Sequence, residues 1–423
     1  MNWKKNPGAV LATLLAIHLL GHIDRNILLG FSPQITRDLA LSNAQYGFLV
    51  GAVWVLSYGV MAVFMGTLAD RISRPRLIAV GLLVWSACTA ASGIAQTFGQ
   101  LVGARFLVAS GEAALVPAAV ALLFELFAPQ RRGAAIGIFF MGIPLGIGCS
   151  FLLAGTFGAA HGWHTTFLTL GAIGAAIAVS LSLLREHRGE QSHDVRGDPF
   201  VTQVRAVLTL LRGNPTIMLT IVGFVLAHLV FAGLSFSQLW LVRERGFDGA
   251  DIAKTMGALQ IVFGALGSFA GGALGDRHAR RLPGGHAMFM MVLVLIAAPL
   301  MIAYRVAPAG SPLFYVGMCA SFFLPLALYG PANTVIQGLT PPQMRSTITG
   351  CCMLLINVFA IAIGNFAVGS VSDAMARAGA STPLTHVLLG TDIVAITSAL
   401  FFLMAAQRLC GKPSMALNET VLP

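Results

Sequence analysis

Runs of about twenty apolar residues, recurring along nearly the whole chain, leave few folds open to it. An α-helix needs about 20 residues to cross the hydrocarbon of a bilayer, and runs near 8–30, 43–69, 77–98, 100–128, 133–160 and 164–184 reach that length. A polar stretch follows, and runs near 214–242, 251–275, 286–305, 311–338, 346–373 and 386–407 supply a second six. Ordinary soluble proteins carry about 25% charged residues, whereas this chain is 57% hydrophobic and 10% charged, so its solvent is lipid. Many of its 47 glycines fall inside the apolar runs, where they let helices approach closely. The expected fold is an all-α membrane protein of twelve transmembrane helices.

A net charge of +10 raises the thought of nucleic acid, but the cations are not clustered for it. Lys4, Lys5, Arg71, Arg74, Arg76, Arg131, Arg132, the arginines from Arg185 to Arg212, Arg277, Arg280, Arg281, Arg345, Arg408 and Lys412 all lie at alternate ends of the apolar runs. The other ends hold only Arg37, Arg243, Arg245, Lys254, Arg305 and Arg377. By the positive-inside rule this asymmetry places both termini and the central stretch in the cytoplasm. The six cysteines lack the spacing of a disulfide framework or a zinc site and read as packing residues. Lys4 and Lys5 before an apolar run mimic a signal peptide, yet His18, His22, Asp24 and Arg25 follow where a small-residue cleavage site belongs, so an uncleaved first helix is expected.

Hydropathy alone fits many membrane proteins; internal repetition is more selective. Gly66-x-Leu68-x-Asp70-Arg71-x-x-Arg74 recurs as Gly272-x-Leu274-x-Asp276-Arg277-x-x-Arg280, after the second helix of each half. Pro129-Gln130-x-Arg132-x-x-x-x-Gly137 recurs as Pro342-Gln343-x-Arg345-x-x-x-x-Gly350, between the fourth and fifth. The chain therefore divides into a six-helix bundle over 1–184, a cytoplasmic linker over 185–212, in part an amphipathic surface helix, and a second six-helix bundle over 213–423. Parallel halves related by pseudo-two-fold symmetry suit a rocking, alternating-access carrier. No HExxH, GxSxG or clustered Cys and His marks an enzyme, and no cofactor is expected beyond a coupling proton.

An acid at a membrane boundary is costly unless it meets a cation or a helix N-terminus. Asp70 is expected to meet Arg132 and the start of the eleventh helix near Ser346, and Asp276 to meet Arg345 and the fifth helix. With Arg71, Arg74 and Arg277 these residues form a candidate cytoplasmic latch between the halves. The GxLADRxxR stretch resembles the loop signature of the major facilitator superfamily. Ser73 stands where many members have glycine, and ADRISRPRLI, HIDRNILLG and RFLVASGEA together resemble bacterial Spinster-like transporters over nearly the whole chain. Similar DR and GEA elements occur in organic-anion:proton symporters of the superfamily. The resemblance implies the two-bundle fold, residence in a bacterial inner membrane, and transport.

Ionisable residues inside the hydrocarbon cost at least about 2.5 kcal/mol each on insertion scales and are functional by default. Asp24 and Arg25 lie in the first helix, Arg105 and Glu112 in the fourth. Seven residues is nearly two turns, so Arg105 and Glu112 share a face about 10 Å apart along the axis. These charges make either a static ion-pair cluster or a switch. Desolvation favours the neutral acid and a nearby arginine the anion, so water or a competing anionic substrate can change the protonation of such a carboxylate. Asp24 and Glu112 are the candidate proton sites, with Arg25 and Arg105 as charge partners and anion ligands; the Spinster resemblance implies the same roles. His18 and His22 share a stripe of the first helix with Arg25, either as satisfied interior histidines or with His22 facing the cavity. Glu125, Asp373 and Asp392, near span ends, read as structural.

Arg105 aligns with Met318 and Glu112 with Pro325 by the second repeat offset, so the second half is expected to lack this charged pair. Neutral polar groups stand there instead. Gln238, Asn333, Gln337 and Asn357 either bond a neighbouring helix or line a substrate cavity with Tyr58, Phe231, Phe236, Trp240 and Tyr329. A cavity charged on one wall and aromatic on the other suits an amphipathic anion. The Spinster resemblance implies a lipid or lysolipid cargo, sugar acids being the alternative, carried by a monomer.

Overall fold

The computed structural model describes residues 6–71, 73–182, 200–279, 281–341 and 344–410. Among them are no strands and twelve helices long and apolar enough to cross a membrane. These are α1 (Pro7–Gly30), α2 (Asn43–Met61, the helix continuing to Arg71), α3 (Pro75–Gly93), α4 (Phe98–Leu126), α5 (Ala135–Gly155) and α6 (Phe157–Ser182). The second set is α7 (Pro215–Arg243), α8 (Gly249–Ala279), α9 (Gly285–Val306), α10 (Pro312–Gly338), α11 (Thr347–Arg377) and α12 (Pro383–Cys410). The twelve expected spans are therefore present, and a further helix, Phe200–Gly213, occupies the described part of the linker.

Local chemistry sets the helix ends. Proline, which has no N–H to waste and a helical φ, opens α1 at Pro7, α7 at Pro215 and α10 at Pro312. Ser42 starts α2 with a capping box: its hydroxyl accepts from Gln45 N at 3.1 Å, and the Gln45 side chain accepts from Ser42 N at 3.0 Å. Thr97 and Ser311 cap α4 and α10 in the same manner, through Gln100 N and Phe314 N.

Several spans are interrupted. In α4 the helix stops at Glu112 and restarts at Leu115; Pro117 cannot donate to the carbonyl four residues back and crowds it, which puts the break at 113–114. Pro331 does the same to α10, which breaks at Leu328. Within α11 residues Ile356–Ile363 are π-helical.

By contacts the chain forms two units. The first comprises 1–194, 231–265 and 357–389; the second comprises 195–230, 266–356 and 390–423. This grouping follows packing, whereas the sequence division at the linker follows the repeat. In the first unit glycines seat α5 on α1 (Gly142 against His18, Gly146 against His22), α3 on α4 (Gly81 against Gly111) and α5 on α8 (Gly148 against Gly257). In the second, Gly267 and Gly271 press α8 onto the α10 backbone at Phe323 and Ala327, and Gly317 seats α10 on α9. With no hydrophobic drive between helices in lipid, such close approach supplies the van der Waals contact that holds them.

Candidate functional site

The charges Asp24, Arg25, Arg105 and Glu112 come from two helices, α1 and α4, with neutral partners from α2 and α3. Asp24 on α1 is 1% exposed and Arg105 on α4 5%. The Arg105 guanidinium donates to Asp24 Oδ1 at 3.1 Å, to the Asp24 carbonyl at 3.0 Å and, weakly, to the Arg25 carbonyl at 3.5 Å. Thr89 of α3 donates its hydroxyl to Asp24 Oδ2. Both carboxylate oxygens of Asp24 are thus occupied, as a buried ion pair requires.

Glu112 is held differently. Although it shares a face with Arg105, no ion pair joins the two among the described residues: the axial separation of about 10 Å lets Arg105 reach across to α1 instead. Glu112 is 9% exposed, and its Oε2 accepts from the indole Nε1 of Trp54 on α2 at 2.9 Å. Its Oε1 is buried and makes no hydrogen bond among the described residues. The Arg25 guanidinium stacks on the Trp54 ring at 3.4 Å from the centroid, a cation–π contact, and Tyr58 stacks on the same indole with centroids 4.4 Å apart. Trp54 therefore touches both Arg25 and Glu112. Neither Trp54 nor Thr89 stands out in the sequence, although Trp54 lies one turn before Tyr58 on a membrane-spanning helix, where an indole N–H needs an acceptor.

His18 is a satisfied interior histidine, its Nδ1 2.9 Å from the Phe139 carbonyl and its ring stacked on Phe139. His22, half-buried, meets the His18 ring edge-on at 4.7 Å. Of the other candidate cavity residues, Phe236 is fully buried against Tyr46, Trp240 is fully buried and donates to Thr385 Oγ1 at 2.7 Å, and buried Gln238 donates to the Gly249 carbonyl at 2.7 Å. These three are engaged in helix packing, since a buried indole or amide must find a partner in lipid. Phe231 and Asn357 are half-buried in the first unit. In the second unit Tyr329 packs edge-on against Phe224 and His228, and Asn333 donates to the Tyr329 carbonyl at 2.8 Å.

The latch residues need correction. The side chains of Asp70, Arg71 and Arg74 lie outside the described residues, as does that of Ser346. Arg132 donates through Nε to the Phe127 carbonyl at 3.1 Å and lies over Phe124, while Arg345 donates to the Gln337 and Thr340 carbonyls at 3.2 and 3.4 Å. Both repeated arginines thus reach back to carbonyls at the C-terminal end of the preceding span, groups that the helix itself leaves unsatisfied. Asp276 does not pair with Arg345: it is exposed and lies 3.6 Å from His286, and Arg277 is exposed.

Two arrangements were not expected. Arg305 of α9 and Asp392 of α12, 1% and 0% exposed, form an ion pair at 2.7 Å in the second unit. That half therefore does hold a buried charge pair, on helices other than α10, and Asp392 is not solvated at a span end. In the first unit, α2 meets α11. Asp373 accepts from the Asn43 and Ala44 backbone N–H groups at 3.0 and 2.8 Å. Asn43 donates to Ser372 Oγ, while Arg243 of α7 donates to Asn43 Oδ1 and to Thr36 Oγ1. A Cβ at Gly47 would overlap the Asn365 carbonyl, and one at Gly369 would overlap the Asn43 carbonyl.

Twelve membrane-length helices make this a polytopic membrane protein, and the family to which it belongs makes it a transporter and not an enzyme. The chain belongs to the Major Facilitator Superfamily, whose profile matches residues 14–365. It is 29% identical to an MFS-type efflux pump of Mycolicibacterium smegmatis over 408 residues, 95% of this chain and 90% of that one. It is 27% identical to Protein spinster of Drosophila melanogaster over 380 residues, 86% of this chain and 62% of the other. Among solved structures, a bacterial homolog to the human lysosomal transporter Spinster, inward-facing and unoccupied, shares the fold with a TM-score of 0.80 at 24% identity, covering 95% of this chain and 97% of the other.

Proposed function

We propose that this protein is a proton-coupled secondary active transporter working by alternating access. In this reading it sits in a bacterial inner membrane with both termini cytoplasmic, and carries an amphipathic lipid, lysolipid or sphingolipid-like anion. The observation that carries the coupling is the contrast between the two carboxylates. Asp24 has both oxygens engaged by Arg105 and Thr89, whereas Glu112, among the described residues, offers Oε1 with no hydrogen bond and makes no ion pair. Glu112 is thus the first proton site, and Asp24 becomes available only when Arg105 turns to an anionic substrate. Arg25, held on Trp54, supplies the second cation.

The cargo rests on the similarity to Spinster proteins and on the apolar and aromatic surroundings of the charges. The similarity to an efflux pump over 95% of the chain favours a second reading, a drug:proton antiporter using the same carboxylates. A substrate screen in proteoliposomes, with and without an inward proton gradient, decides both matters. Gradient-driven transport is expected to fall at least about tenfold in Glu112→Gln, the loss of about 1.4 kcal/mol or more of coupling, with substrate exchange retained. Unchanged gradient-driven transport in that variant would overturn the assignment.

A further inference from the structure

In soluble proteins π-helical residues are rare, well under about 1% of the total, and within α-helices they mark functional sites. The run Ile356–Ile363 lies at a particular place in α11: residues up to Ile356 belong to the second contact unit and those from Asn357 to the first. Just beyond the run, Asn365, Gly369 and Asp373 follow at four-residue spacing. They form one stripe, and it is this stripe that meets α2, through Gly47, the Asn43 backbone and the Ala44 N–H.

Asn365 joins the two features. It is fully buried. Its Nδ2 donates at 2.8 Å to the carbonyl of Ile361, inside the π run, and its Oδ1 is buried without a hydrogen bond among the described residues. A Cβ at Gly51 would lie 2.7 Å from that same Ile361 carbonyl and 2.9 Å from the Asn365 Cβ. The wider π turn is therefore sustained by the Asn365 amide on one of its carbonyls and by α2 packed against it.

We propose, building on the alternating-access reading, that the π run is a register switch for the outer gate and that Asn365 is its positioning residue. A π turn closes over one residue more than an α turn. If 356–363 relaxes to α, every residue beyond it turns by about 100° and advances by about 1.5 Å. That rotation carries Asn365, Gly369 and Asp373 off the α2 face together. The glycine contacts, the Asp373 cap on α2 and the π run are then gained and lost as one event.

The test uses spin labels on the full-length protein in nanodiscs, at Arg37→Cys and Ala376→Cys, both exposed positions of the first unit, in a background without the six native cysteines. Asn365→Leu keeps the size of the side chain and removes the amide from the Ile361 carbonyl; it is expected to raise the long-distance population at least about fivefold, about 1 kcal/mol of gate equilibrium. Deletion of Phe359, an exposed residue of the run, lets α11 become α-helical in its present register; it is expected to give one short distance and to cut transport at least about tenfold. An Asn365→Leu distance distribution equal to the parent's overturns the proposal, as does a Phe359 deletion that still moves between both distances. If the deletion variant does not insert, Asn365→Leu decides alone. The distances do not depend on proton coupling, so failure of the coupling assignment leaves this result standing.

Discussion

Removing Arg105 should destabilise the first unit by more than removing both it and its partner. The Arg105→Met side chain fills similar space but leaves the Asp24 carboxylate, 2% exposed, with only the Thr89 hydroxyl for a partner; breaking a buried pair in this way costs about 3–5 kcal/mol. Asp24→Asn is milder. Arg105 keeps its 3.0 Å bond to the Asp24 carbonyl, but its charge is left buried without a counter-ion, at the lower end of that cost, about 3 kcal/mol. With both charges gone, no ion remains buried without a counter-ion, and the double variant should lie within about 1–3 kcal/mol of wild type. The singles therefore sum to about 6–8 kcal/mol and the pair couples by about 3–7 kcal/mol. Because both side chains are buried, salt should barely change this coupling. Equilibrium unfolding in mixed micelles across the four proteins of the cycle measures it. Additivity within about 0.5 kcal/mol would show that Asp24 and Arg105 do not act as a pair, and with it the proposed order of protonation would fail.

Three further outcomes follow from the same geometry. Trp54→Phe keeps a ring beneath Arg25 but deletes the donor to Glu112 Oε2; the pH profile of transport should move relative to wild type while expression and monodispersity hold, and an unmoved profile would remove Trp54 from the coupling site. Asp373→Asn weakens the anionic cap on the first turn of α2 by about 1 kcal/mol, so labelling of a cysteine placed at Ala44 should quicken about fivefold; equal labelling would count against a gate there. Arg305→Met alone should fail to accumulate in membranes or unfold about 3–5 kcal/mol more easily, whereas Arg305→Met with Asp392→Leu should accumulate and transport, which assays of yield and uptake check.

Spans were legible because each element must satisfy a single condition, about 20 apolar residues, and nothing in the tertiary structure overrides it. Interruptions within spans were less so. Pro117 and Pro331 announce the breaks in α4 and α10, but they act three to four residues upstream, at 113–114 and Leu328, so a break falls where no unusual residue is seen. The π run in α11 has no such signal. Its residues, INVFAIAI, are ordinary for a membrane helix, and the run is held by Asn365 and by α2, elements that meet it only once folded. For the repeated arginines, Arg132 and Arg345, the motif was visible but its use was not: a cation at a span end reads equally as a latch or as a partner for open carbonyls, and among the described residues the hydrogen bonds of both are to carbonyls.

Why one buried arginine–aspartate pair was foreseen and the other missed is also the argument for where coupling resides. Asp24, Arg105 and Glu112 stand out because they interrupt apolar sequence well inside their runs. Arg305 comes at the end of α9 and Asp392 follows Thr391 on α12, so each alone passes for a group near water, and only packing brings them to 2.7 Å. Once paired, the two sites differ in what surrounds them. Asp24 and Arg105 share the first unit with Glu112, whose Oε1 makes no hydrogen bond among the described residues, and with Arg25, whose guanidinium rests on an indole; a charge shifted at one group has others to answer it. In the second unit, Arg305 faces Asp392 with the Tyr304 ring beside it, and among the described residues no second carboxylate bonds the guanidinium. A proton added to Asp392 would strand Arg305 in hydrocarbon at a cost of several kcal/mol, whereas one added to Glu112 breaks no ion pair among the described residues. On that difference the Arg305–Asp392 pair serves as a fixed strut, and under the proposed proton-coupled reading the proton sites are those of the first unit.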